Sequence, residues 1–211
     1  TIQSISQMTG VGGITPVQSD SLVLGIGKFV AQCDLVGVDP DVIKLFGYEM
    51  QEGRMLAKTD QYGVVLGNNI PYQFYNPRKQ QYASWSSTVA QVDVFSDKLV
   101  ITGDWNYGQK QTPLQNEEER IEYKNYEGKV VGVLAGSDDS MSYRAFMNIK
   151  DLQKIVKEKK RAERNNSSES SGYQEAWIYV DSIDDVSRIS EEVRAMGFQT
   201  YSLNDALEAM Q

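Results

Sequence analysis

No histidine occurs among the 211 residues and there is a single cysteine, Cys33. That composition removes Ser-His-Asp and Cys-His nucleophile pairs and nearly all common zinc sites. Carboxylates, lysines and tyrosines are the side chains left to do chemistry. Glu117, Glu118 and Glu119 stand together in "NEEER". Paired carboxylates hydrolyse glycosides when they face each other across a cleft, whereas consecutive ones in a polar loop read as a solvated face. "GSDDSMS" offers Asp138, Asp139 and hydroxyls to a hard cation. It lacks the alternating acidic positions and distal Glu of a calcium loop, so a solvated loop is expected. "GIGK", Gly25 to Lys28, has the spacing of neither phosphate-loop pattern and reads as a hairpin turn. Cys33 lies among Val30, Ala31, Leu35 and Val36, which predicts a buried, inert thiol. The basic run "KEKKRAER" reads as the solvated face of a helix.

The remaining candidates recognise rather than react. Tyr72, Phe74, Tyr75, Tyr82, Trp85, Trp105 and Tyr107 cluster mid-chain. Such side chains build glycan or peptide platforms and also fill cores, and both readings stay open. With a net charge of −8, the chain lacks the concentrated positive surface that tracks phosphates, so nucleic acid is excluded as an expected partner. A chain of 211 residues suits one large domain or two small ones, and buries enough surface to fold without disulfides.

The elements that must position these residues follow from periodicity. Ile2, Ile5 and Met8 predict a short helix. Val17–Leu24 and Phe29–Val38 predict a hairpin turning near "GIGK". Asp39 caps, and Pro40 opens, a helix with Val42, Ile43, Leu45 and Phe46 on its apolar face, ended by Gly47. A turn is expected around Gly53. Strands are expected at Val64–Leu66, Val89–Phe95 and Lys98–Gly103, and a hairpin turning near "YEGK" that enters the core through Val130–Leu134. Arg144–Met147 predicts a strand running into a helix that buries Ile149, Leu152, Ile155 and Val156. The polar stretch at 163–172 reads as a mobile loop. Finally "EAWIYVD", a helix with Ile183, Val186, Ile189 and Val193 inward, and "FQTYSL" predict a closing βαβ unit. The chain opens at Thr1 with no signal segment and stops in "LNDALEAMQ", which reads as a helix barely begun, so a fragment cut from a longer chain is expected.

Gly37, Val38, Asp39 and Pro40, then Glu52, Gly53 and Arg54, then Val64, Val65, Leu66 and Gly67, form an ordered set of short motifs. "KVVGVLAG", "RAFMNIKDLQKIV" and "AWIYVDSIDDVSRISEEVRAMGF" follow in the same order. Together they resemble the extracytoplasmic domain of MacB-like, or FtsX-like, ABC transporter permeases. "NNIPYQFYNPRKQQ" replaces the family's usual helix after "VVLG". The resemblance implies an α+β fold: a porter-like α/β subdomain from residues 1–60 plus 173–211, including the βαβ unit, and an inserted β-rich, Sabre-like subdomain from 61–172. It implies a structural role for Gly37, Val38, Asp39, Pro40, Glu52, Gly53, Arg54 and Gly67. Tyr72, Phe74, Tyr75, Trp85, Trp105 and Tyr107 are the expected partner or cargo contacts. No catalytic residue, metal or cofactor is expected. The implied setting is the outer side of a bacterial cell membrane. The implied partners are ABC ATPase subunits, a second permease copy, a membrane-fusion-type accessory protein, and a peptide, lipopeptide or drug cargo. An envelope sensor for peptides or glycans, and a carboxylate-based envelope hydrolase, are the alternatives.

Overall fold

The computed structural model describes residues 1–79, 89–110, 121–136, 140–164, 173 and 175–202. It is an α+β fold built around a closed barrel. In chain order the elements are α1 (Ile2–Ser6), β1 (Val11–Ile26), β2 (Phe29–Val38), α2 (Pro40–Leu45), β3 (Met50–Gly53), β4 (Gly63–Leu66), β5 (Leu99–Thr102), β6 (Tyr126–Leu134), β7 (Arg144–Asn148), α3 (Ile149–Ala162), β8 (Glu175–Val180) and α4 (Val186–Ala195).

Six strands close on themselves in the order β1, β2, β7, β4, β6, β5 and back to β1. The β2–β7 and β4–β6 pairs are parallel and the other four antiparallel. Closure pairs every barrel strand on both edges and leaves no open barrel edge. The first cluster of buried side chains joins Leu22, Leu24, Ile26, Leu35, Leu66, Leu99, Ile101 and Met147 from the strands to Leu152, Ile155 and Val156 of α3. A second cluster lies on the alternate strand positions, Val36, Val38, Val65, Val131 and Phe146, with Ile43 of α2 and Leu56. Alternation along β2 and β4 thus supplies two cores from one barrel wall.

β1 is longer than the hairpin pattern predicts. Its first half, Val11–Val17, pairs with β8; its second half, Gln18–Ile26, pairs with β2, and Val23–Ile26 also pair with β5. One unbroken strand therefore belongs both to the barrel and to a two-stranded ribbon. The ribbon carries a third core, where Ile5 of α1 meets Ile189 and Val193 of α4, with Met8, Val11, Ile14, Ile178 and Val180 around them. Barrel pairing also joins residues on both sides of position 60, through β1–β5 and β2–β7.

Four local expectations are corrected. Residues 89–95 form turns rather than a strand, because the Asp93 carboxylate accepts from the Phe95 N–H (3.0 Å) and the Asp93 carbonyl from Ser96 (3.2 Å). No hairpin turns at "YEGK": β6 runs straight through it, and Gly128 is the point where the Tyr62 carbonyl comes too close for a side chain. Ile183 is exposed rather than inward, because Ser182 caps a short 3₁₀ turn over Ile183–Asp185 and α4 starts only at Val186. The closing βαβ unit lacks its second strand in the described residues. After Gly197 (φ +91°), residues 198–201 join no described strand, and Phe198 and Tyr201 are exposed. The expected loop at 163–172 falls largely outside the described residues.

Candidate functional site

The motif residues hold several crossings of the fold, and Asp39 and Pro40 lie at the junction between barrel and ribbon. At Gly37 the β2 backbone passes so close to α3 that an added Cβ would lie 3.0 Å from the Ile149 Cα and the Leu152 Cδ2. Val38 is buried, and Asp39 follows as the cap of α2, its carboxylate accepting from the Asp41 N–H at 2.9 Å. Pro40 fills the first helical position, where a missing N–H costs nothing. The Asp39 N–H donates to Thr15 Oγ1 at 2.7 Å, and that hydroxyl donates to the Pro16 carbonyl at 2.8 Å. Thr15 is wholly buried and lies where β1 passes from ribbon to barrel. The α2 helix then lies over the ribbon, with Leu45 and Val42 against Gly13, where a Cβ would meet Leu45 Cδ1 at 2.8 Å.

Glu52, Gly53 and Arg54 form the next joint. Glu52 is exposed on β3. Gly53 has φ +75°, and an added Cβ would collide with the Val131 carbonyl oxygen. The Arg54 N–H donates to that same carbonyl at 2.9 Å, closing β3 onto β6. The Arg54 guanidinium holds Asp60 with two hydrogen bonds of 2.6 and 2.9 Å, and the Ala57 N–H adds a third at 2.8 Å. The Arg54 bonds hold the Asp60 carboxyl below its usual range, against the opposing effect of partial burial. Gly67 ends β4 where the carbonyls of Met141 and Ser142 leave no room for a side chain, and its N–H donates to the Arg144 carbonyl at 2.8 Å.

The expected aromatic contacts separate. Phe74 is buried in the barrel core. Tyr75 bridges to Val30 through two backbone hydrogen bonds (2.9 and 3.0 Å), and Tyr107 lies over Gly25, so both sit beside the β1–β2 turn. Tyr72 is partly exposed and Trp105 is 43% exposed. Trp85 lies outside the described residues, as do Tyr82, Glu117, Glu118, Glu119, Asp138 and Asp139. A different aromatic group does assemble at the junction. Phe46 packs on Tyr48 (6.2 Å between centroids), Trp177 (6.3 Å) and Tyr179 (5.6 Å), and Trp177 also meets Phe146 (6.3 Å). Met50, Met55 and Met141 border it. The i, i+2 spacing of Trp177 and Tyr179 on a strand was the available signal, since it puts both rings on one face.

The chemistry of the arrangement is mechanical. Among the described residues no three His, Cys, Asp or Glu side chains form a metal-sized group. The Cys33 thiol is free and buried, and burial pushes its pKa far up. Tyr123 is raised to about 12 by burial and by its bond to Glu163, which suits a structural phenol rather than a proton carrier at neutral pH. Glycine approaches, a capped helix and a bidentate ion pair fix where elements cross.

No family model and no curated protein matches the chain. Solved structures do. The extracellular domain of the noncanonical ABC-type transporter YknZ from Gram-positive bacteria superposes with a TM-score of 0.52 at 10% identity, covering 90% of this chain and 75% of that one. The periplasmic region of MacB from Actinobacillus actinomycetemcomitans superposes with a TM-score of 0.51 at 13% identity, covering 92% and 72%. At such identities the likeness is one of fold, and it is the fold that the Gly37–Pro40 and Val64–Gly67 motifs led us to expect. This chain has the fold of the extracytoplasmic domain of MacB-like ABC transporter permeases.

Proposed function

We propose that the chain is the extracytoplasmic, non-catalytic domain of an ABC transporter permease on the outer side of a bacterial membrane. It would couple ATP hydrolysis by cytoplasmic subunits to export or to mechanical signalling. One observation carries this reading: α1 and α4 pack on the same ribbon, and a single strand, β1, continues from that ribbon into the barrel wall. Arg188 donates to the Thr9 carbonyl (2.7 Å) and the Asp181 N–H to the Gly10 carbonyl (2.9 Å), which ties the two helices' segments together. Displacement of two flanking membrane helices would enter through one unit and reach the barrel by a covalent path. Rigid-body motion about packed joints is the matching class of event.

The finer terms are inferred with it. The porter-like part, 1–60 plus 173–211, holds the ribbon with α1 and α4, residues 61–172 correspond to an inserted Sabre-like subdomain, and the Thr15–Asp39 contact is the joint between the ribbon and the β2–α2 corner. ABC ATPase subunits, a second permease copy and a membrane-fusion-type protein are the partners. An antimicrobial peptide, lipopeptide or drug is the cargo. A sensory module for envelope peptides or glycans is the second reading, favoured by Tyr75 and Tyr107 beside the β1–β2 turn and by the exposure of Trp105 and Tyr72. A hydrolase would depend on Glu117–Glu119.

The test is Thr15→Val in the intact transporter. Removing the acceptor for the Asp39 N–H loosens the joint, so transport falls several-fold while basal ATP hydrolysis and membrane insertion are unchanged. Unaltered transport by a folded variant, or a full-length protein with no membrane spans flanking this domain, overturns the reading.

A further inference from the structure

Between 149 and 164 the chain has seven Lys and Arg against three acidic residues, although the whole chain carries −8. Their placement is more specific than their number. Five residues of this segment are exposed: Lys150, Lys154, Lys157, Arg161 and Arg164. All five are cations. The first four are spaced by 4, 3 and 4, which at 3.6 residues per turn keeps them within a narrow stripe opposite Leu152, Ile155 and Val156. At 1.5 Å per residue the stripe from Lys150 to Arg161 is about 16 Å long.

The acidic residues of the segment leave the stripe charged. Asp151 is buried and accepts from the Tyr62 N–H (3.0 Å) and Lys154 (3.3 Å). Glu158 pairs with Arg161 at 2.6 Å, and Glu163 accepts from the Tyr123 hydroxyl at 3.0 Å. Lys154 and Arg161 are each 63% exposed in these pairs, where salt and solvent weaken the attraction. Among the described residues no carboxylate pairs with Lys150, Lys157 or Arg164. Arg164 adds a second observation. It sits just past the end of α3 at φ +51°, a left-handed position where glycine is the unstrained residue. A long cation is kept there at a conformational cost, and it extends the stripe.

We propose that this face of α3 docks on an anionic phospholipid headgroup layer. The exposed side chains of α3 itself are all cations, and the half-exposed Tyr173 beside them has its hydroxyl taken by the Gln153 amide at 2.8 Å, so the face lacks the apolar centre that a protein interface needs. A line of cations on a straight helix can approach a plane all at once, and headgroups are numerous and mobile enough to meet them without shape complementarity. The acidic remainder of the domain does not forbid this, because charge beyond about 8–10 Å is screened at physiological salt. The inference deepens the membrane setting proposed above and fixes which side of the barrel faces the bilayer.

The test is co-sedimentation of the 211-residue chain with vesicles of phosphatidylglycerol and phosphatidylcholine, against phosphatidylcholine alone, at low and high salt. Binding is expected only with phosphatidylglycerol, and lost at high salt. The triple variant Lys150→Gln, Lys157→Gln, Arg164→Gln should lose about fivefold in partitioning per charge removed. The control Lys28→Gln, Lys44→Gln, Lys110→Gln changes net charge equally, at exposed sites off the stripe, and should bind as the parent does. Arg164→Gly should bind less while its melting temperature stays or rises, which separates binding from folding. Equal sedimentation with both vesicles, or equal loss in the control, overturns the proposal. Neither outcome touches the lever reading, which stands or falls on transport by Thr15→Val.

Discussion

Gly53 and Asp60 show how single residues hold the crossing of β3 over β6 and the turn that follows it. Gly53 combines φ +75° with a backbone carbonyl in the space a Cβ would fill, so both conformation and contact exclude larger residues. Gly53→Val should cost about 2–4 kcal/mol, read as a lowered denaturation midpoint with unchanged slope. Asp60 is 6% exposed in its side chain and receives three hydrogen bonds, two of them from Arg54. Its carboxyl titrates below the ordinary 3.8 in the folded state, chiefly because of Arg54. A carboxyl lowered by folding stabilises fully above its unfolded pKa and stops doing so as pH falls through the folded one. Stability should therefore decline below about pH 4, and Asp60→Asn should flatten that part of the profile. The same variant should cost about 1–2 kcal/mol at neutral pH, because an amide has one accepting oxygen and turns an NH2 donor toward the N–H groups that the second carboxylate oxygen accepts from. Urea titrations across pH 3–7 measure both effects.

At the scale of elements, α2 is a six-residue helix that would not persist alone. It survives because Asp39 caps it, Pro40 presets its first turn, and Leu45 and Val42 rest on Gly13. The Thr15 hydroxyl links this helix to β1. Thr15→Val leaves the Asp39 N–H without its acceptor and should cost about 1–2 kcal/mol in the isolated domain. Amide exchange should quicken locally at Asp39 and along α2, and faster exchange confined to the barrel would contradict the assignment. Much of this was legible in the sequence. The cap, Pro40, Gly47, the β1–β2 hairpin, β4, β7 and the inward face of α3 all follow from local rules. Those rules failed where a distant segment decides. Gly128 looks like a turn but marks the approach of Tyr62, and nothing near it in sequence says so. Phe74 stands in an aromatic, polar stretch typical of a surface, yet it fills the barrel. Trp177 and Phe46 meet only because α2 folds back over the ribbon. The Trp177 and Tyr179 pair was therefore visible as a shared strand face but its meeting with Phe46 was hidden, whereas the residues that hold the joint's backbone were visible.

The molecule as a whole has its ribbon and barrel sharing one strand rather than a linker. The closed barrel imposes a further condition. Its seam is the parallel pair β2–β7, where Asp34 lies beside Arg144, and β1 meets β8 where Val11 lies beside Val180. Neither contact can form until most of the chain has been made. The β1–β2 hairpin, closed by Gly27 at φ +55°, is by contrast available early. Chains dominated by such distant pairings fold in milliseconds to seconds. If the hairpin nucleates the process, Gly27→Val, whose Cβ meets nothing in the native state, should slow refolding by about fivefold and leave unfolding nearly unchanged. Stopped-flow chevrons decide it, and a change confined to the unfolding limb would place nucleation elsewhere. A barrel without a free edge is thus also one whose edges stay open until its last strands arrive. During synthesis its early strands would wait longest for their partners, and a folding helper or slow translation would matter most in that interval.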